Sequence, residues 1–271
     1  MLTSSIIDIP SSLIELIDST DSLQTSPPSL YVDLEGVNLS RHGSISILQL
    51  LNQPAGHAYL IDIYVLGKTA FTTLGKNGKT LKSILESPAI PKVFFDVRND
   101  SNALFFHFGI RLQGVEDIQL MENASRPGTL SRKQFVSGLA RCIEYDAPLA
   151  PSVKALWREN KEKGMQLFAP ERGGSYEVFN ARPLAAAVKE YCVQDLSFLP
   201  VLRTLYWGKL SLEWKAKVDA ATRERVRVSQ TLEYQPHTRD KTLGPWQQPV
   251  DYRGFAGAPS FFGGLDLFGS R

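Results

Sequence analysis

The chain has 271 residues, 43% of them hydrophobic and 21% charged, which describes an ordinary globular protein long enough to bury a full core. A formal net charge of +2 gives no electrostatic argument for nucleic acid by itself, and two cysteines far apart, Cys142 and Cys192, exclude a disulfide framework and a Cys/His zinc site. No apolar run approaches membrane-spanning length. The N-terminus, interrupted by Asp8, Glu15 and Asp18, does not read as a signal peptide or anchor, so an intracellular protein, cytoplasmic or nuclear, is expected.

In chain order, a short amphipathic helix is expected around Ser11 to Ser19, followed by a polar stretch that ends in "TSPPS". Three strand-like segments follow, "LYVDLEG", "ISILQLL" and "AYLIDIYVLG", and their short separators predict an antiparallel meander. A helix over Leu81 to Glu86, the strand "PKVFFDV", a helix from Asn99 to Phe108 stopped by Gly109, and a fifth strand in "LQGVEDIQLM" complete a mixed α/β layout. From Ser131 the pattern is helical: "RKQFVSGLARCIEY", "VKALWRENKEKG" and a long stretch from Pro183 to Trp207, with "MQLFAPERGGSYEVFNAR" reading as a loop.

Between Arg203 and Arg227 seven basic residues stand against three acids, which reads as a solvated helix face with some capacity for phosphate. The end of the chain, from about Gln230, is Pro- and Gly-rich and reads as an extended tail. Its Trp246, Phe255, Phe261, Phe262 and Phe268 are the residues that could dock on the body. The expected division is therefore a lead-in over 1–28, one domain over 29–208, and a basic helix with tail over 209–271.

Alternation along "LYVDLEG" puts Tyr31, Asp33 and Glu35 on one face of the strand and Val32 and Leu34 on the other. Two adjacent carboxylates at a sheet end need a cation, a proton or open water. Partners for them lie elsewhere. Asp96 ends a strand, Asp100 falls in the first turn of the next helix, and in "EYCVQD" Tyr191 and Asp195 are four apart on one helical face. His57, His107 and His237 show no ligand spacing and read as structural, and Trp157, Trp207 and Trp214 read as core.

In this order and at these separations, "VDLEG", "KVFFDVRNDSNAL" and "YCVQD" resemble the three motifs of the DEDD 3′-to-5′ exonucleases, specifically the Tyr-containing subgroup with ribonuclease D and the Werner-type domain. Glu190 stands where the His subgroup would place its histidine, and the usual His-Gly of the second motif is Phe95-Asp96 here. The resemblance covers about Ser29 to Trp207. It implies a ribonuclease H-like fold with a mixed five-stranded sheet, and two divalent ions, Mg²⁺ or Mn²⁺, held by Asp33, Glu35, Asp100 and Asp195, with Tyr191 orienting the attacking water. The implied reaction is hydrolysis of RNA or DNA from a single-stranded 3′ end to nucleoside 5′-monophosphates. Arg41, His42, Arg98, Asn99, Arg172 and Arg182 are candidate contacts to that strand. The chain also looks similar to small Egalitarian-type proteins, some of which have lost catalytic acids, so a catalytically weak RNA-binding adaptor is the alternative; protein partners are unknown.

Overall fold

In the computed structural model, residues 2–246 are described. The meander forms as expected: β2 (Leu30–Glu35) pairs antiparallel with β3 (Ile47–Asn52), and β3 with β4 (His57–Asp62). β5 (Lys92–Phe94) and β6 (Val115–Asp117) continue the sheet in parallel on the other side of β2. A sixth strand, β1 (Thr3–Ile7), pairs parallel with β4 at the far edge, giving the order β1-β4-β3-β2-β5-β6. The sheet thus has six strands, where five were expected. "TSSII" carries too few apolar residues to show alternation, and its place is fixed by a partner more than fifty positions away. His57 helps hold it there: its ring nitrogens bond Thr3 Oγ1 at 2.7 Å and Ser5 Oγ at 2.9 Å, a structural role as expected.

Helices cover both faces. On one side, α1 (Pro10–Ser19) packs its Leu13, Leu16 and Ile17 with Val32, Leu34, Leu48 and Leu50 of the sheet. Two short helices, α2 (Ile63–Leu66) and α3 (Thr69–Thr72), then α4 (Leu81–Glu86) and α5 (Arg98–Phe108), complete that layer. Gly109 ends α5 in the left-handed conformation at φ 63°, as its sequence position predicted. On the opposite side, Tyr31, Leu51 and Val93 meet α6 (Ile118–Ser125), α7 (Leu139–Tyr145) and α10 (Leu199–Lys209). The pleat therefore separates Val32 and Leu34 from Tyr31, Asp33 and Glu35.

Several boundaries differ from expectation for local reasons. "LQGVEDIQLM" is strand only over Val115–Asp117, because the Asp117 carboxylate accepts from the Gln119 N–H and starts α6 there. "RKQFVSGLARCIEY" holds a 3-10 turn at Leu130–Lys133 and becomes helical only after Gly138. α8 (Pro151–Phe168) runs on through Gly164, so Met165 to Phe168 belong to a helix, and the connection beyond it carries 3-10 turns at Pro170–Arg172 and Tyr176–Phe179. The stretch from Pro183 to Trp207 is two helices, α9 (Ala186–Ser197) and α10, with Pro200 in the first turn of the second.

α11 (Leu212–Ser229) packs against α5, α6 and β6, and the chain then folds back along the body. Val136 N–H donates to Thr242 O at 2.9 Å, Gly244 N–H to Gln134 O at 2.7 Å, and Trp246 docks edge-on to Trp214 with its indole N–H on Asn123. Phe255, Phe261, Phe262 and Phe268 lie outside the described residues. Among the described residues no helix is long and apolar enough to cross a membrane.

Candidate active site

Asp33 and Glu35, one pleat apart at the end of β2, open into a cavity of about 350 Å³ that Tyr191 and Asp195 of α9 and Lys161 of α8 also line. Its apolar walls are Phe95, Leu139, Ala140 and Leu199. α9 reaches the sheet end because Val188 and Cys192 pack with Ile47, Leu60 and Phe179, which turns Tyr191 and Asp195, one helical turn apart, toward the acids. Asp100 sits behind this cavity in the first turn of α5, buried, with Oδ1 lacking any hydrogen-bond partner.

The electrostatics follow from gathering like charges out of water. Burial, then the Asp195 charge, pushes the Asp33 carboxyl up to about 7. Burial and then Asp33 push Glu35 well above the usual range, and the same two causes raise Asp100. Burial, followed by Glu35, holds the Tyr191 phenol well above its ordinary value, so it keeps its proton at neutral pH and can serve in a hydrogen bond but not as a base. Its ring rests on Phe168, with centroids 4.9 Å apart, and against the bare backbone of Gly164, where a Cβ would come within 2.8 Å of Tyr191 Cδ2. Glycine in the middle of a helix costs stability; here it lets α8 close on the tyrosine.

The second-motif departure has a structural account. Asp96 adopts φ 60°, a left-handed conformation that aspartate tolerates better than most residues and that suits the glycine it replaces. Its carboxylate is paired with two arginines: Arg98 Nε lies 2.5 Å and Arg225 Nη1 3.7 Å from Oδ1. Burial would raise this carboxyl, but Arg98 and Arg225 outweigh it and hold it below the usual range. Asp117, fully buried, accepts from the N–H groups of Asp96, Val97 and Gln119 and from Arg225 Nη1 at 2.7 Å. One side chain thus clamps the corner that presents Asp100. Replacing Asp117 with alanine should cost about 3–5 kcal/mol, because it leaves the buried Arg225 guanidinium with only the more distant Asp96 as well as removing the clamp. Urea unfolding of the full chain measures this, and a loss under about 1 kcal/mol would show that the clamp contributes little.

The candidate strand contacts lie elsewhere. Arg41 donates to the carbonyls of Thr231 (3.0 Å) and Tyr234, and exposed His42 sits beside it. Arg98 is the buried partner of Asp96, and Asn99 Oδ1 accepts from Tyr234 Oη at 2.8 Å and Lys241 Nζ at 2.7 Å. Arg172 pairs with Glu162 on the surface, while Arg182 forks onto Asp62. None of the six lines the acidic cavity. The basic stretch is also partly internal: Arg203 pairs with Glu116 and Arg225 with Asp117.

Lys161 escaped the sequence reading. Its Nζ lies 2.9 Å from Asp195 Oδ2 and 5.3 Å from the Tyr191 ring centroid. The available signal was its register: Trp157, Lys161, Gly164 and Phe168 form one inner stripe of α8, where a lysine is out of place without an acid opposite.

The carboxylates suit a hard divalent cation in chemistry, all being oxygen donors, and Asp100 Oδ1 and Asp195 Oδ1 are buried without a partner. As they stand, no three metal-binding side chains among the described residues are close enough together to hold one ion.

A sheet that runs as a meander extended by parallel strands, with acids from β2, α5 and α9 meeting at its end, is the arrangement of a 3′-5′ exonuclease domain. The family model described as 3′-5′ exonuclease matches residues 5–205, and the chain belongs to that family, within the DEDD superfamily. Among individual proteins it is similar to the piRNA biogenesis protein EXD1 of Mus musculus, 40% identical over 194 residues that make up 70% of this chain and 31% of the mouse protein. The chain thus spans about a third of that relative's length. In fold it is similar to Trypanosoma brucei RNase D, solved in complex with RNA U12 (TM-score 0.68, 21% identity, 90% of this chain and 76% of that one). Escherichia coli RNase D is a further neighbour, with TM-score 0.57 and 19% identity over 85% of this chain and 52% of that one.

Proposed function

We propose that this chain is a metal-dependent exonuclease of the Tyr subgroup that removes nucleotides from the 3′ end of a single strand, releasing nucleoside 5′-monophosphates. The observation that carries the reading is the convergence of Asp33, Glu35, Asp195 and Tyr191 on one cavity, with Asp100 buried behind it. Four acids drawn out of water repel one another, and cations are what would make such a cluster favourable.

Asp33, Glu35 and Asp195 would hold one Mg²⁺ or Mn²⁺ ion, and Asp33 with Asp100 a second. When bound, such ions supply Lewis acidity to the phosphoryl oxygens and lower the pKa of the attacking water. Tyr191, protonated, would orient that water by a hydrogen bond. Phe95, Leu139 and Leu199 offer an apolar wall for the terminal nucleoside. RNA is the favoured substrate, since the T. brucei RNase D neighbour was solved with RNA and the EXD1 relative is named for piRNA biogenesis.

A second reading, a catalytically weak strand-binding adaptor on the same fold, draws support from Lys161 seated on Asp195. One experiment separates the two: 5′-labelled single-stranded RNA and DNA incubated with the full chain in Mg²⁺, Mn²⁺ or EDTA, beside Asp100→Ala. A shortening ladder that needs metal and disappears in the variant is expected. Intact strands in every wild-type lane, with retained binding, would establish the adaptor.

A further inference from the structure

Lys161 is the one basic residue ion-paired with any of the four acids among the described residues, and its position is unusual. It lies on the inner stripe of α8, between buried Trp157 and the Gly164 backbone that carries Tyr191. Its side chain is 19% exposed and that of Asp195 8%, so the contact is largely sheltered from solvent. An amphipathic helix ordinarily places an apolar residue there, and bringing an ammonium group in from water is unfavourable unless it meets an opposite charge. That charge is Asp195, whose other oxygen, Oδ1, is buried without a partner. One carboxylate is therefore shared between a lysine that is present and the position that a hard cation would take.

We propose that Lys161 is a built-in counter-cation of the acidic cluster, competing with divalent ions for Asp195 and so setting how tightly the site takes up metal. The inference rests on the reading that these acids hold divalent ions. For an ion to engage Asp195 fully, Lys161 must withdraw from Oδ2. It would then be left beside Tyr191, facing the cavity, where an anionic phosphate is the partner it fits.

The test is calorimetric titration of Mn²⁺ into the full chain after EDTA treatment and dialysis, comparing wild type with Lys161→Met and Lys161→Arg. Methionine keeps an unbranched apolar stem and removes the competing charge, so Mn²⁺ should bind about tenfold tighter, the scale of a sheltered ion pair lost from the competition. Arginine keeps the charge and should bind Mn²⁺ close to the wild-type affinity. Thermal midpoints in EDTA give an independent readout: Lys161→Met should fall below wild type, with a larger rise on adding Mn²⁺. Should the methionine variant not fold, Lys161→Gln reads the same affinity. Mn²⁺ binding that is unchanged or weaker in the uncharged variants would overturn the proposal and leave the metal site intact. No Mn²⁺ binding in any of these proteins would instead overturn the metal reading itself, and the competition with it.

Discussion

Asp33→Asn should lower the rate of 3′-end hydrolysis by on the order of a thousandfold or more, while the metal-free protein becomes more stable. Asp33 occupies the centre of the cluster. Its charge is the largest Coulombic influence raising both Glu35 and Asp100, which places it between acids that otherwise belong to different elements. Asparagine keeps the shape and removes the charge, so the cavity walls can persist while the residue shared by both proposed ion sites is lost. Because the same substitution relieves repulsion in the metal-free fold once Asp33 is ionised, the thermal midpoint in EDTA at pH 8 should rise by a few degrees, roughly the effect of 1 kcal/mol in a chain of this size. Initial rates on 5′-labelled RNA and a melting curve on the same preparation check both parts. A variant that retains activity within about threefold would remove Asp33 from the mechanism. One that loses activity and also melts lower would assign the loss to damaged structure.

The second large effect is on pH dependence. In the unfolded chain the Asp33 carboxyl gives up its proton near its ordinary value of 3.8, whereas in the fold burial, and then the Asp195 charge, make it hold the proton up to about 7. Between those values the folded state binds more protons than the unfolded one, so stability falls as pH rises through this window. Glu35 and Asp100, raised for the same reasons, act in the same direction. The EDTA-treated protein should therefore be harder to unfold at pH 5 than at pH 8. Saturating Mn²⁺ should flatten that slope, since cations favour the ionised acids. Urea midpoints at several pH values, with and without Mn²⁺, measure it. A flat profile in EDTA would show that these carboxyls are not raised in the fold, and equal slopes in both series would show that Mn²⁺ does not act on them.

Much of this site was legible in the sequence because its signals are local. Strand alternation alone puts Asp33 and Glu35 on the face away from Val32 and Leu34, and the four-residue spacing of Tyr191 and Asp195 puts them on one helical face. The core confirms the first separation, and the cavity contains both pairs. What could not be read depends on partners far along the chain. β1 is a strand only because β4 completes it, and "VEDIQ" changes from strand to helix at the residue whose carboxylate caps the next turn. Arg41, Arg98 and Arg182 look free in a sequence; their distant partners, the carbonyls of Tyr234 and Lys241 and the carboxylate of Asp62, are found only once the fold brings them together. Asp96 is similar: an extra acid in the motif would seem to add charge to the site, yet Arg98 and Arg225, the latter contributed by α11, neutralise it. α11, through Arg225, and the segment at Lys241 thereby help to brace the second motif from outside the stretch that resembles the exonucleases.

The most direct measurement is diffraction from crystals of the full chain soaked in Mn²⁺, with anomalous scattering collected at the manganese edge. Two peaks among Asp33, Glu35, Asp100 and Asp195, with the Lys161 ammonium moved off Asp195, are expected. Crystals without a manganese peak at these acids, and with Lys161 still on Asp195 at saturating Mn²⁺, would contradict the account.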